Sequence, residues 1–119
     1  MILKNKISNW LKDYLIKNNL ESFVIGISGG IDSAVTSTLC AMTGIKTYVV
    51  IMPINQNPKE TDRGYNHCKW LKEKYNNIEQ IYIELDSTYN SIKNNVPKKF
   101  QNNLSLANTK ARIRMSTLY

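Results

Sequence analysis

Phe23-Val-Ile-Gly-Ile-Ser-Gly-Gly-Ile-Asp-Ser33 decides how this chain is read. Four of its first five residues are large and apolar, the run of a strand buried on both faces, as in a parallel sheet. Ser28, Gly29 and Gly30 break the run, and Ala34 to Leu39 resumes with a helical period. A strand, a glycine turn and a helix therefore follow one another. The first N–H groups of such a helix lack intrahelical partners and lie at the positive end of its dipole, so the turn suits a phosphate. Gly29 and Gly30 let the backbone approach an oxyanion closely, and Ser28 and Ser33 can donate from their hydroxyls. Asp32 is not attracted to phosphate directly. Beside a phosphate cradle its carboxylate makes sense if it holds Mg²⁺. Asp32 or Ser33 can equally cap the helix, and both roles can hold at once.

Working outward, the helix from about Ser33 to Met42 shows Val35, Leu39 and Met42 as its apolar face, and Gly44 suits its end. Lys46 to Met52 is rich in β-branched residues and reads as a second strand, stopped by Pro53. Strand, helix and strand with short joins make a right-handed parallel βαβ unit. The polar loop 53–60 then lies at the carboxyl edge of the sheet, where open α/β sheets bind ligands. Asn55, Gln56 and Asn57 are placed there either to touch a ligand or to serve as solvated turn residues. A helix over 59–75 follows, with Cys68, Leu71 and Tyr75 on its apolar side and Trp70 off that stripe. His67, the only histidine, has no metal-spaced partner and reads as a surface or packing residue. Gln80 to Leu85 alternates as a third strand. Asp86, Ser87 and Thr88 offer caps for a short helix bearing Tyr89, Ile92 and Val96.

The two ends are helical. In residues 2–18, Leu3, Ile7, Trp10, Leu11, Tyr14 and Leu15 form an apolar stripe that calls for a packing partner. In residues 103–119, Leu104, Ala107, Ala111, Met115 and Leu118 share one face, and Asn108 and Arg112 stack four apart on another. An Asn and an Arg on one helical edge can grip a carboxylate or phosphate, or form an ordinary solvated basic edge.

At 119 residues and 42% hydrophobic content the chain suits one globular domain. No apolar run approaches the ~18 residues of a membrane span. Lys4, Lys6 and Lys12 interrupt any signal-peptide core. Cys40 and Cys68 do not form a CxxC pair and read as buried free thiols of a reducing compartment, with the cytoplasm as the default. The net charge of +7 is lopsided. Residues 1–86 carry ten Lys and Arg against all nine Asp and Glu, whereas residues 87–119 carry Lys93, Lys98, Lys99, Lys110, Arg112 and Arg114 and no acid. Such a segment faces nucleic acid, a phosphorylated ligand or an acidic partner surface.

Ser28-Gly-Gly-Ile-Asp-Ser33 is neither G-x-x-x-x-G-K-[ST] nor G-x-G-x-x-G. It resembles the SGGxDS loop of the ATP pyrophosphatase (PP-loop) superfamily, whose members cleave ATP between its α and β phosphates and adenylate a substrate. Asn108, Lys110, Ala111, Arg112, Arg114, Met115 and Tyr119 further match the N-x-K-A-R-x-R-M…Y helix of NAD synthetases. The resemblance implies an α/β fold of the adenine nucleotide alpha hydrolase-like type, with a parallel sheet and flanking helices. It also implies condensation of deamido-NAD with ammonia through an adenylate, releasing AMP and pyrophosphate. Carried onto this sequence, Gly26, Ile27, Ser28, Gly29, Gly30, Ile31, Asp32 and Ser33 bind ATP, with Asp32 also on Mg²⁺. Arg112, and more weakly Asn108, contacts deamido-NAD, and the residues around Met52 sit by adenine. Many relatives carry Arg just before the strand-two Leu/Met-Pro, where this chain has Ile51.

Glutamine-using relatives carry an amidase domain ahead of the synthetase, for which too few residues precede the first strand, so ammonia is the implied nitrogen source. NAD synthetases continue well beyond Tyr119, with further strands and another Mg²⁺ carboxylate. Residues 1–119 are therefore expected to be the N-terminal part of a single synthetase domain, incomplete and inactive alone, homodimeric when complete, with an unpaired edge on the glycine-loop strand. Two rivals are a PP-loop enzyme acting on tRNA, suggested by the basic end, and a nucleotide-binding module without catalysis. The second motif points away from nucleic acid.

Overall fold

The computed structural model describes residues 2–54 and 57–119. Three strands, β1 (Phe23–Ile27), β2 (Thr47–Ile51) and β3 (Ile78–Tyr82), form a parallel sheet in the order β1-β2-β3. The register runs from Phe23 opposite Thr47 to Ile27 opposite Ile51, and from Thr47 opposite Ile78 to Ile51 opposite Tyr82. Helices α1 (Ile2–Lys17), α2 (Ile31–Ala41), α3 (Pro58–Lys74), α4 (Asp86–Asn95) and α5 (Asn103–Leu118) surround it, with a short 3₁₀ turn at Lys98–Phe100. Alternation along β2 supplies two cores. Val49 and Ile51 join Ile27, Ala41, Cys68 and Leu71 under α2 and α3, whereas Val50 and Met52 join Ile54, Leu85 and Tyr89 under α4 and α5. Cys40 and Cys68 are buried free thiols, as expected, and burial pushes both up to about 11.

The parallel α/β plan agrees with the expectation, but several faces differ. β1 is not buried on both faces, since Val24 is 45% exposed, whereas its pairing with β2 alone among the described residues is the unpaired edge expected. α2 starts at Ile31 with Gly30 as N-cap and no side-chain cap bond, so neither Asp32 nor Ser33 caps it. Its buried residues are Ser37, Cys40 and Ala41, while Val35 is 51% exposed. Small residues let α2 seat closely, and the Ser37 hydroxyl is satisfied by donating to the carbonyls of Ser33 at 2.7 Å and Ala34 at 3.1 Å. Likewise α1 turns Ser8 and Leu15 inward, with Ser8 Oγ donating to the Leu39 carbonyl at 2.9 Å. Much of the expected α1 stripe, Leu3, Ile7, Trp10 and Tyr14, lies outside, with the Trp10 and Tyr14 rings stacked at 5.6 Å.

β3 begins two residues before the expected strand because Asn77 pins its start. Its side-chain amide donates to the carbonyls of Ala41 at 3.0 Å and Ile45 at 2.7 Å, and its own carbonyl accepts from Thr47 N at 2.9 Å. Leu85, expected at the strand's end, instead enters the second core. Glu84 caps the start of α4, accepting from Ser87 N at 3.0 Å. α5 opens on a capping box between Asn102 and Ser105. It rests on Leu106, Ile113 and Leu118, of which only Leu118 belongs to the face expected, while Leu104 is 73% and Met115 61% exposed. Apolar residues lie on two opposite sides of this helix, Leu106 and Ile113 facing away from Leu104, Ala107, Ala111 and Met115, so spacing does not single out the side that meets the sheet.

Candidate functional site at the glycine loop

The loop between β1 and α2 is built from its own hydroxyls and from α3. Ser28 N donates to Ser33 Oγ at 3.2 Å, Gly30 N to Ser28 Oγ at 3.2 Å, and the two hydroxyls lie 3.2 Å apart. Gly29 has φ +86°, where L side chains are strained, and a Cβ there would collide with the backbone carbonyl of Glu60. Gly64, one turn further along α3, rests against Ile27 and Gly29. Asn57 caps α3, its Oδ1 accepting from Lys59 N at 2.9 Å, while Asn55 and Gln56 lie outside the described residues. So α3 buttresses the loop, and the N-terminus of α2 opens at the carboxyl edge of the sheet.

The structure gathers Gly26 to Ser33 into one strand end and loop, as the sequence implies. Sequence reasoning misses two cations that the fold delivers. Arg63 of α3 donates from Nε to the Gly29 carbonyl at 3.2 Å. Arg114 of α5 donates from Nε to the Met52 carbonyl at 3.0 Å, and burial pulls its pKa down against the opposing pull of Glu60. Arg114 also lines a cavity of about 310 Å³ with Gly26, Ser28, Met52, Met115 and Leu118. Residues two apart on a helix stand on roughly opposite sides, so Arg112 faces elsewhere. It lines a separate hollow of about 490 Å³ between α4 and α5, together with Thr88, Ile92, Thr109 and Ser116. Asn108, one turn earlier, is exposed and lines neither space.

His67 is a packing residue, as expected. Its ring stacks on Trp70 at 5.8 Å, and Nε2 lies 2.8 Å from Ser37 Oγ. The Ser37 hydroxyl also lies within reach of the Ser33 and Ala34 carbonyls, so the imidazole joins a local polar network between α2 and α3. Burial lowers its pKa, against an opposing pull from the Ala34 backbone. Among the described residues no group of three or more His, Cys, Asp or Glu could hold a metal ion. Asp32 stands exposed in the first turn of α2. One carboxylate beside an anion cradle fits a Mg²⁺ held mostly by phosphate oxygens and water, not an all-protein cage.

A three-stranded parallel sheet with a glycine turn opening a helix at its carboxyl edge is an open α/β arrangement, the kind that takes ligands at that edge. The family model described as NAD synthase matches residues 3–119. The chain belongs to that family. It is 36% identical over 119 residues to the NH₃-dependent NAD⁺ synthetase of Carboxydothermus hydrogenoformans, covering 96% of this chain and 46% of that protein. It is 35% identical over 118 residues to that of Saccharolobus solfataricus, covering 97% and 40%. Among solved structures, the NMN synthetase of Francisella tularensis superposes with a TM-score of 0.85 at 32% identity, over 98% of this chain and 47% of that one. The NH₃-dependent NAD synthetase of Campylobacter jejuni gives 0.83 at 28% identity, over 98% and 48%. The chain spans a little under half the length of these relatives.

Proposed function

We propose that residues 1–119 form the N-terminal part of a single NAD synthetase domain that amidates deamido-NAD to NAD at the expense of ATP. Family membership together with the Ser28–Ser33 loop at the carboxyl edge of the sheet carries this reading. In the proposed first step, a carboxylate oxygen of the nicotinate attacks the α phosphorus. The bond to the bridging oxygen breaks, and pyrophosphate leaves from the glycine loop. In the second step ammonia attacks the acyl carbon of the adenylate, loses a proton and expels AMP. Gly26 to Ser33 hold the phosphates by backbone N–H and hydroxyl donors. The cavity bounded by Met52 and Arg114 is suited to the adenosine end. Asp32 would hold Mg²⁺, which neutralises charge on the leaving pyrophosphate.

Arg112, in its hollow between α4 and α5, and Asn108 one turn away are assigned to deamido-NAD. The exposed Leu3, Ile7, Trp10 and Tyr14 stripe of α1 supports a homodimer. The two buried free thiols favour the cytoplasm. No helix among the described residues is long and apolar enough to cross a membrane. Because the chain spans under half of its relatives, this segment by itself is expected to be inactive.

The test uses deamido-NAD labelled with heavy oxygen in its carboxylate, given with ATP, Mg²⁺ and ammonia to the protein that carries this segment. NAD should form, and the AMP should carry one labelled oxygen. NAD formed beside unlabelled AMP would exclude the adenylate, and no NAD at all would exclude the activity. Nicotinate mononucleotide is run in parallel, because the Francisella relative is named an NMN synthetase.

A further inference from the structure

We propose that Arg63 is a phosphate-binding residue, whose guanidinium holds the β and γ phosphates of ATP, and then the leaving pyrophosphate, against the glycine loop. The proposal rests on reading residues 28–33 as a phosphate cradle. That loop offers N–H and hydroxyl donors but no cation, and its one ionisable side chain, Asp32, is an anion. Pyrophosphate gathers negative charge as it departs, and neutral donors answer that charge only in part.

Arg63 is the cation tied to this loop. Its Nε donates to the Gly29 carbonyl at 3.2 Å. With Gly29, Gly30, Ser33 and His67 it lines a hollow of about 250 Å³. The tether uses one of five guanidinium N–H donors, and the terminal fork is the part shaped for paired phosphate oxygens. Arg63 is exposed, and among the described residues it makes no ion pair. Its charge is therefore not already neutralised by a protein carboxylate. The bond to Gly29 also holds the stem in place, so less side-chain freedom is lost when a ligand arrives. Arg114 does not compete for this role: it is anchored to Met52, at the cavity assigned to the adenosine end.

The experiment titrates the chain and its R63Q and R63K variants with ATP, inorganic pyrophosphate and adenosine, in Mg²⁺, by calorimetry. R63Q should lose on the order of tenfold or more in affinity for ATP and pyrophosphate, with adenosine unchanged. R63K, which keeps the charge but loses the planar fork and the Nε tether, should fall between the parent and R63Q. Three outcomes overturn the proposal: R63Q binds both phosphate ligands like the parent; R63Q loses adenosine in step with ATP; or R63K falls as far as R63Q. In the last two, holding the Gly29 carbonyl is the whole role of Arg63. A parent chain that binds neither ATP nor pyrophosphate overturns the cradle itself, a failure distinct from any difference among the variants.

Discussion

Three glycines allow the loop's support to be measured by difference. Gly44 has φ +77° with nothing within 4 Å of where a Cβ would stand, Gly29 has φ +86° with the Glu60 carbonyl in the way, and Gly30 has neither a positive φ nor a neighbour closer than Ser28 Oγ at 3.4 Å. Gly44→Ala therefore reports left-handed strain alone, about 1 kcal/mol. Gly30→Ala should cost under about 0.5 kcal/mol. Gly29→Ala adds to the strain a collision with backbone in the first turn of α3, whose Gly64 stands close against Ile27 and Gly29. A total of about 3 kcal/mol follows. Urea unfolding of the three variants gives the costs directly, and the gap between Gly29→Ala and Gly44→Ala, about 2 kcal/mol, is the contact between α3 and the loop. If Gly29→Ala cost no more than Gly44→Ala, α3 would not buttress the loop and the account of its geometry would fail.

Leu71 is fully buried in the first core, so Leu71→Ala should cost about 2–5 kcal/mol in the same assay. Asn77→Ala removes two side-chain bonds that join β3 to the carbonyls of Ala41 and Ile45, and about 1–3 kcal/mol should go with them. His67 has its pKa lowered by burial, so the unfolded chain binds the proton more readily than the folded one. Stability is then fully present above the ordinary imidazole pKa of about 6.5 and declines as pH falls below it. The urea midpoint should drop between pH 7.5 and pH 5.5 by less in His67→Gln, and equal drops would remove the buried imidazole from the account. Cys40 and Cys68, both pushed up to about 11, should react slowly with iodoacetamide at pH 8 in the folded chain and rapidly in urea; equal rates would contradict their burial.

The strands and the loop are readable because their signals are local. An apolar run, two adjacent glycines and a β-branched run fix β1, the turn and β2 without knowledge of the rest. The helix faces are less readable. Ser8 and Ser37 are residues that α1 and α2 turn inward, and hydrophobic spacing cannot flag a buried serine whose hydroxyl finds a carbonyl. α5 carries apolar residues on two opposite sides, so its orientation is decided by the packing of Leu106, Ile113 and Leu118 on the core that holds Val50 and Met52. Arg63 and Arg114 reach the site across 34 and 62 residues of sequence. No local pattern marks such contacts, and the preference for Arg112 over Arg114 as the ligand-facing residue rests on motif likeness, not on geometry. The structure turns Arg114 toward the loop and Arg112 toward α4, a division that places two cations of one motif at two separate spaces.

The most direct measurement is pyrophosphate release from ATP by the protein carrying this segment, followed with deamido-NAD and ammonia present or withheld. The account predicts release that requires deamido-NAD and yields one NAD per pyrophosphate when ammonia is supplied. Release that is indifferent to deamido-NAD, or that requires an RNA substrate instead, would contradict it.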